Sequence, residues 1–379
     1  MIDNQRSLFD IPLDVTYLNL AAHSPLLKSV YDAGIEGLGR KYHPWDLDLA
    51  KTPAEAERLR GLFAVLIGAG AGDVAIVSST SYAVETAARN LALGKGRKVI
   101  ALQDQFPSNV LSWRHLAAEV GGELHFVARP ANDDWTQAVL EALDGTVDIA
   151  ALPPCHWSDG SRLDLVTIGA RCRELGIALV VDATQAVGAM PFDVKEIQPD
   201  YVACSAYKWL LCPYTLGFLY AAPHRQSGTP IEFHRWNHAG VSVSATGVGY
   251  PEGYNEGARR YDMGEVNNFI LMPMAVQALT QLGLWTPDAI QAYTKPLTQA
   301  VADGARARGW TVPADEFRVG HYIAMKPRGA LKPGIVQRLQ KEWKVNVSER
   351  AGGIRVAPHL FNDMADVERF FEALDKALA

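Results

Sequence analysis

Cysteine is scarce in this chain: 379 residues hold only Cys155, Cys172, Cys204 and Cys212. No two of them have the C-x-x-C spacing of a zinc site, and four thiols over such a length do not make a disulfide scaffold. No metal site is therefore expected, and the hydrophobic core must hold the fold. Long apolar runs are also missing; none approaches the ~20 residues of a membrane-crossing helix. No apolar segment of the secretion-signal kind follows Met1 to Arg6. The expectation is a cytoplasmic protein with reduced thiols and no membrane contact. There is no block of Lys or Arg, and the net charge of −6 gives nucleic acid no reason to bind. Internal repeats and low-complexity segments are absent too.

What remains is ordinary globular composition, 48% hydrophobic and 21% charged. The length suits two domains around a large core. The most informative stretch is Ile177 to Tyr220. Ile177 to Val181 is a short apolar, β-branched run that ends at Asp182, as a buried parallel strand does when it delivers a carboxylate. Tyr201 to Cys204 is a second such run, leading to Ser205, Tyr207 and Lys208, and Gly217 to Tyr220 is a third. In open α/β sheets, active groups collect outside strand ends. A lysine among apolar neighbours has a lowered pKa and forms Schiff bases. A carboxylate keeps a pyridine nitrogen protonated. From spacing alone, a solvated Lys208 and a helix-capping Asp182 fit equally well.

Further along the chain, Ala75 to Val77 reads as a strand, followed by Ser78, Ser79 and Thr80 and then a helix. Hydroxyls at a helix N-terminus make an anion site, although a plain cap explains one of them. Lys98–Leu102, Leu124–Ala128 and Val147–Leu152 read as strands, and 135–143 and 164–175 as helices. Phe106 follows a strand end, where an aromatic ring lies against a cofactor or simply packs in the core. Thr52, Pro53 and Glu55 mark a helix start with a capping box, running to about Ile67. Residues 31–51 and 228–260 read as irregular, aromatic-bearing loops. Arg355 sits in a run from Ile354 to Asn362 that reads as an edge-type strand; its fork suits a carboxylate ligand or a surface acid. Asp363 caps a final helix.

Asp182-Ala-Thr-Gln185 followed, 26 positions after the acid, by Lys208 in Ser205-Ala-Tyr-Lys resembles the signature of the class V aminotransferases. The resemblance covers roughly residues 15–375 and implies a fold-type I pyridoxal-phosphate (PLP) enzyme. The implied fold is α/β: a three-layer PLP-binding large domain with a mostly parallel sheet, plus a smaller α+β C-terminal domain. Expected boundaries are an arm at 1–14, the large domain at 15–267 and the small domain at 268–379, joined by N-terminal residues. The implied roles are an aldimine between Lys208 and PLP, with Asp182 on the pyridine nitrogen, Gln185 on O3′ and Phe106 on the ring. Ser79, Thr80, Ser205 and Tyr207 hold the phosphate, Tyr207 standing where most relatives carry His. Arg355 clamps the substrate carboxylate, with Trp157 and His23 beside the substrate. His156 replaces a common Ser. Relatives form homodimers in which a Thr reaches the partner's phosphate; Glu265 stands at that place, with Arg260 or Asn267 as compensating groups.

Desulfurases of this family need a cysteine shortly before the substrate arginine, and Val345–Gly353 has none. Transamination is expected first, because it asks only for Lys208 and a second substrate. A kynureninase-like or C–S lyase reaction by β-elimination stands beside it, then epimerisation. A catalytically inactive regulatory homologue is the reading outside enzymes.

Overall fold

The computed structural model describes residues 2–48, 52–241 and 250–379. Within them the strands are β1 (Thr16–Tyr17), β2 (Val74–Val77), β3 (Lys98–Leu102), β4 (Glu123–Val127), β5 (Val147–Leu152), β6 (Ala178–Asp182), β7 (Tyr201–Ser205), β8 (Gly217–Ala221), β9 (Ile323–Met325), β10 (Val345–Asn346), β11 (Ser348–Arg350) and β12 (Gly353–Val356). Seven of these form one sheet in the order β2-β8-β7-β6-β5-β3-β4. β8 runs antiparallel to both neighbours, and the remaining six strands run one way. The expected mostly parallel sheet is found.

Every residue of β2, β6, β7 and β8 is buried. Helices cover both sheet faces, so these strands read as unbroken apolar runs rather than alternating ones. Side chains still alternate between the layers. Leu179 and Val181 join one hydrophobic cluster, and Ala178 and Val180 join the other. Each fully buried Val or Leu contributes about 1.5–3 kcal/mol, so the two clusters dominate the stability of the large domain.

The C-terminal part is the smaller α+β domain. β11, β12 and β9 form an antiparallel sheet packed under helices Pro287–Ala307, Ile335–Trp343 and Met364–Leu378. The N-terminal segment belongs with it spatially. β1 pairs with β10, and Gln5 N donates to Leu360 O at 2.7 Å. Ala357 N donates to Leu18 O and Leu20 N donates to Ala357 O, on either side of the bridge at Asn19.

Three local expectations need correction. Lys28–Tyr42 is a helix, not loop. Its alternation of Gly, charged and aromatic residues hid the period, yet Val30 and Gly37 face the core, where Phe269 O leaves no room for a side chain at position 37. The run from Ile354 is a strand only as far as Val356, and it is the central strand of its sheet rather than an edge. Pro358 ends it by removing a ladder donor. Thr52 is the first residue inside helix Thr52–Leu66 rather than its cap. Of the two stretches read as loops, 49–51 and 242–249 lie outside the described residues.

One buried ion pair ties helix Thr52–Leu66 to the sheet edge. Arg60 Nη1 donates to Asp262 Oδ1 at 2.8 Å and to Val74 O at 2.9 Å, and the same carboxylate oxygen accepts from Ile76 N at 2.9 Å. Both side chains are almost fully buried. Removing one partner leaves an uncompensated charge inside the protein. Asp262→Ala is expected to lower unfolding free energy by about 3–5 kcal/mol in denaturant titrations. The double change Arg60→Met with Asp262→Leu is expected to recover most of that loss.

Candidate active site

Five strands that run the same way end around one cavity of about 460 Å³. β2 delivers Ser78 to Ser81, β3 the turn bearing Phe106, β5 the turn bearing Trp157, β6 Asp182, and β7 Ser205 to Lys208. The convergence follows from the topology, since parallel strands place all their C-terminal ends on one side.

Lys208 is only 6% exposed. Burial, chiefly, and then the nearby Arg355 charge bring its amine down to about 8, against the pull of Asp182. Its Nζ lies 5.3 Å from the Phe106 ring centre and 5.4 Å from that of Tyr207. The backbone behind it is fixed by Gly188 (φ +93°), where a Cβ would meet Trp209 O at 2.6 Å. Asp182 is buried at the end of β6, where Thr184 N donates to its Oδ1 at 3.1 Å. Burial pushes its carboxyl pKa up; the Thr184 bonds and the Lys208 charge oppose this. A proton donor placed against Asp182 would remove that penalty.

The hydroxyls form a connected set. Thr80 Oγ1 lies 2.7 Å from Ser205 Oγ and 2.9 Å from Thr184 Oγ1, and Ser205 N donates to Thr184 Oγ1 at 3.1 Å. Ser79 caps helix Thr80–Asn90 by accepting from Tyr82 N. The helix thus points its positive end and its first amide donors at the cavity.

Gln185 is held at three points. Trp209 Nε1 donates to Oε1 at 2.8 Å, Nε2 donates to Ala21 O at 3.0 Å, and the buried His321 ring lies 2.7 Å from its backbone oxygen. One hydrogen of the Gln185 amide is left over. Phe106 and Trp157 meet edge to face at 5.4 Å, and Trp157 Nε1 donates to Asp104 O. Tyr207 packs on Tyr214 at 4.5 Å, and His23 lies 5.4 Å from Tyr207, outside the cavity lining. Ser24 donates through both N and Oγ to Tyr207 O.

Arg355 is 1% exposed and has no carboxylate partner among the described residues. Nη1 donates to Trp157 O at 2.6 Å, while Nε is buried without a partner. Burial and the Arg350 charge bring it down to about 10. The surface-acid alternative for Arg355 is thus not what the fold provides.

Other residues were unmarked in the sequence. Thr184 sits inside the Asp182–Gln185 motif, and its hydroxyl meets Thr80 Oγ1 and Ser205 N. Tyr214 and Thr215 line the cavity with no pattern to announce them. His156 is turned away, buried between Ser158 and Gln103 O and stacked on Trp135. Glu265 is exposed with φ +56°, and Arg260 donates to Gly228 O.

The residues present fit PLP: hydroxyls and a helix N-terminus for a phosphate, an under-compensated carboxyl for a pyridinium, and a depressed lysine for an aldehyde. Residues 16–309 match the model of the Aminotransferase class-V family. The chain belongs to that family, and its cofactor is pyridoxal phosphate. Among its relatives, an uncharacterized aminotransferase of Bacillus subtilis is 25% identical over 93% of this chain and 91% of that protein. An isopenicillin N epimerase of Streptomyces clavuligerus is 25% identical over 96% and 95%. A cysteine desulfurase of Klebsiella pneumoniae is 27% identical over 77% and 73%. A solved cystine C–S lyase superposes with a TM-score of 0.84 at 18% identity, over 96% of this chain and 97% of that one. The protein is thus a fold-type I PLP enzyme that acts on an amino acid.

The lysine has a signature in apoprotein stability. Its amine titrates near 8 when folded against 10.5 when free, so between those values the unfolded chain binds the extra proton and stability rises with pH. Below about 8 the buried charge is penalised. Relative to Lys208→Met, wild-type apoprotein is expected to gain up to about 3 kcal/mol across that window. Denaturant unfolding at stepped pH measures it. A flat difference would show an amine that is not desolvated.

Proposed function

We propose that the chain eliminates a leaving group from Cβ of an α-amino acid, as a C–S lyase does. The observation that carries this reading is the distribution of reactive groups. The cavity holds one buried amine poised near 8 and no thiol. All four cysteines are buried, and burial pushes Cys155 and Cys172 up to about 12 and raises Cys204 and Cys212 as well. A sulfur-accepting cysteine, as desulfurase chemistry needs, has no candidate at the site. Elimination needs none.

In this reading Lys208, Ser79, Thr80, Ser205 and Tyr207 hold PLP with Asp182, Gln185 and Phe106. PLP supplies an electron sink for bonds at Cα. Arg355 takes the substrate α-carboxylate, Trp157 borders the side-chain path, and His23 approaches the substrate from beyond the lining, beside Tyr207. Lys208 Nζ removes the Cα proton, the Cβ–S bond breaks with its electron pair on sulfur, and the lysine ammonium returns the proton to the departing thiolate. The 2-aminoacrylate that remains takes up water to give pyruvate and ammonia. The likeness to the fold of a cystine C–S lyase supports this order over transamination, and the Bacillus subtilis aminotransferase among the relatives is itself uncharacterized. Inversion at Cα is the second reading, favoured by an epimerase that matches nearly the whole chain. An inactive regulatory homologue has no use for a complete set of this kind.

A cytoplasmic homodimer completes the proposal. Tyr31, Ile35, Leu38 and Tyr42 lie on one face of helix Lys28–Tyr42 and are 54–78% exposed, an apolar stripe suited to a second copy. The large and small domains divide near residue 267.

Holoenzyme is to be incubated with cysteine, cystine and S-alkylcysteines without any keto acid. Pyruvate and ammonia in equal amounts are the expected products. Product that appears only when 2-oxoglutarate is added would establish transamination instead, and loss of optical activity without ammonia would establish epimerisation.

A further inference from the structure

Arg355 does not stand alone. β11 and β12 are joined by Ala351 and Gly352, with φ of +47° and +74°. A two-residue connection with both φ positive is the tight hairpin turn whose twist matches the strands it joins. It fixes the register, with Ser348 opposite Arg355 and Arg350 opposite Gly353. Cross-strand partners project to the same face, and alternate residues on one strand share a face. Arg350 and Arg355 are therefore diagonal neighbours on one face of a rigid hairpin. Glu349, the only acid in the hairpin, alternates to the other side.

Arg350 is half-buried, and no carboxylate pairs with it among the described residues. Its Nη1 donates to Glu349 O at 2.7 Å, and its guanidinium carbon lies 5.8 Å from the ring centre of Trp157, which lines the cavity. Its charge is felt at both Lys208 and Arg355, which places it on the active-site side of the hairpin. Two neighbouring guanidinium groups without an acid form a repulsive and costly arrangement. One α-carboxylate answers one of them.

We infer that Arg350 selects substrates bearing a second anionic group at the end of the side chain, so that the substrate class is α-amino acids with a distal carboxylate or sulfonate. The α-carboxylate engages Arg355, and the side chain passes Trp157 to bring its terminal anion to Arg350. This rests on the carboxylate role of Arg355 in the proposed function but not on which bond breaks.

The test is binding of unreactive carboxylates to holoenzyme by isothermal titration, using butyrate, glutarate and adipate, in wild type, Arg350→Gln, Arg350→Lys and Arg355→Met. One of the diacids is expected to bind on the order of 10- to 100-fold tighter than butyrate, the range of a charge-assisted hydrogen-bonded contact. Arg350→Gln should erase that preference and leave butyrate within about twofold, and Arg350→Lys should restore part of it. Circular dichroism of each variant excludes misfolding as the cause. Diacids that bind no tighter than butyrate, with Arg355→Met still weakening both, would overturn the role of Arg350 and keep that of Arg355. Butyrate binding indifferent to Arg355→Met would overturn both. Equal weakening of butyrate and diacid by Arg350→Gln would mean that the two arginines share a single carboxylate, and would also overturn the inference.

Discussion

The desolvation of Lys208 is the constraint on which the rest of the site depends. An amine brought down to about 8 is one that can lose its proton near neutral pH and act as a nucleophile or base. Three features produce that state together. The aromatic rings of Phe106 and Tyr207 stand near it, Arg355 adds a like charge, and Asp182 keeps the shift from going further. Phe106 and Asp182 arrive from other strand ends of the large sheet and Arg355 from β12 of the small one, so the lysine's chemistry depends on long-range packing as well as on its neighbour Tyr207.

The charges at this site are balanced only when ligands are counted. Asp182 is a buried acid whose protein partners are donors from Thr184, and Arg355 is a buried base held by one carbonyl. A protein selected for stability alone would have paired or removed them, because unpaired charge in the interior costs free energy. Asp182 lines the cavity and Arg355 lies behind its wall at Trp157, and their retention there is what a binding site looks like before its ligands are considered. The hydroxyl set around Thr80 differs in kind: it is already internally hydrogen-bonded, so an anion there exchanges bonds rather than gaining new ones.

Much of this was legible in the chain. The buried strands announced themselves through unbroken β-branched runs, and their polar ends gave Asp182, Ser79, Thr80, Ser205 and Lys208 by position. Lys98–Leu102 and Val147–Leu152 have the expected bounds. The less legible parts share a cause, which is that long-range contact overrode local pattern. Helix Lys28–Tyr42 carries exposed aromatics where a helix ordinarily shows polar residues. The short central strand β12 has the look of an edge because its proline comes so soon after. Tyr214 reaches the cavity through a loop that no periodicity describes, and nothing local separates His156, turned into the core, from Trp157 beside it.

The N-terminal segment gives the two halves of the molecule a mechanical link. Leu18 and Leu20 are hydrogen-bonded to Ala357 of the small domain, yet a few residues on, Ala21 holds the Gln185 amide and Ser24 grips the Tyr207 carbonyl. The strap is short and fully engaged at both ends. A swing of the small domain would therefore tug on the backbone one residue before Lys208. Where other enzymes need a flap to report that a pocket has been filled, here the report would travel along seven residues of chain, from Leu18 to Ser24.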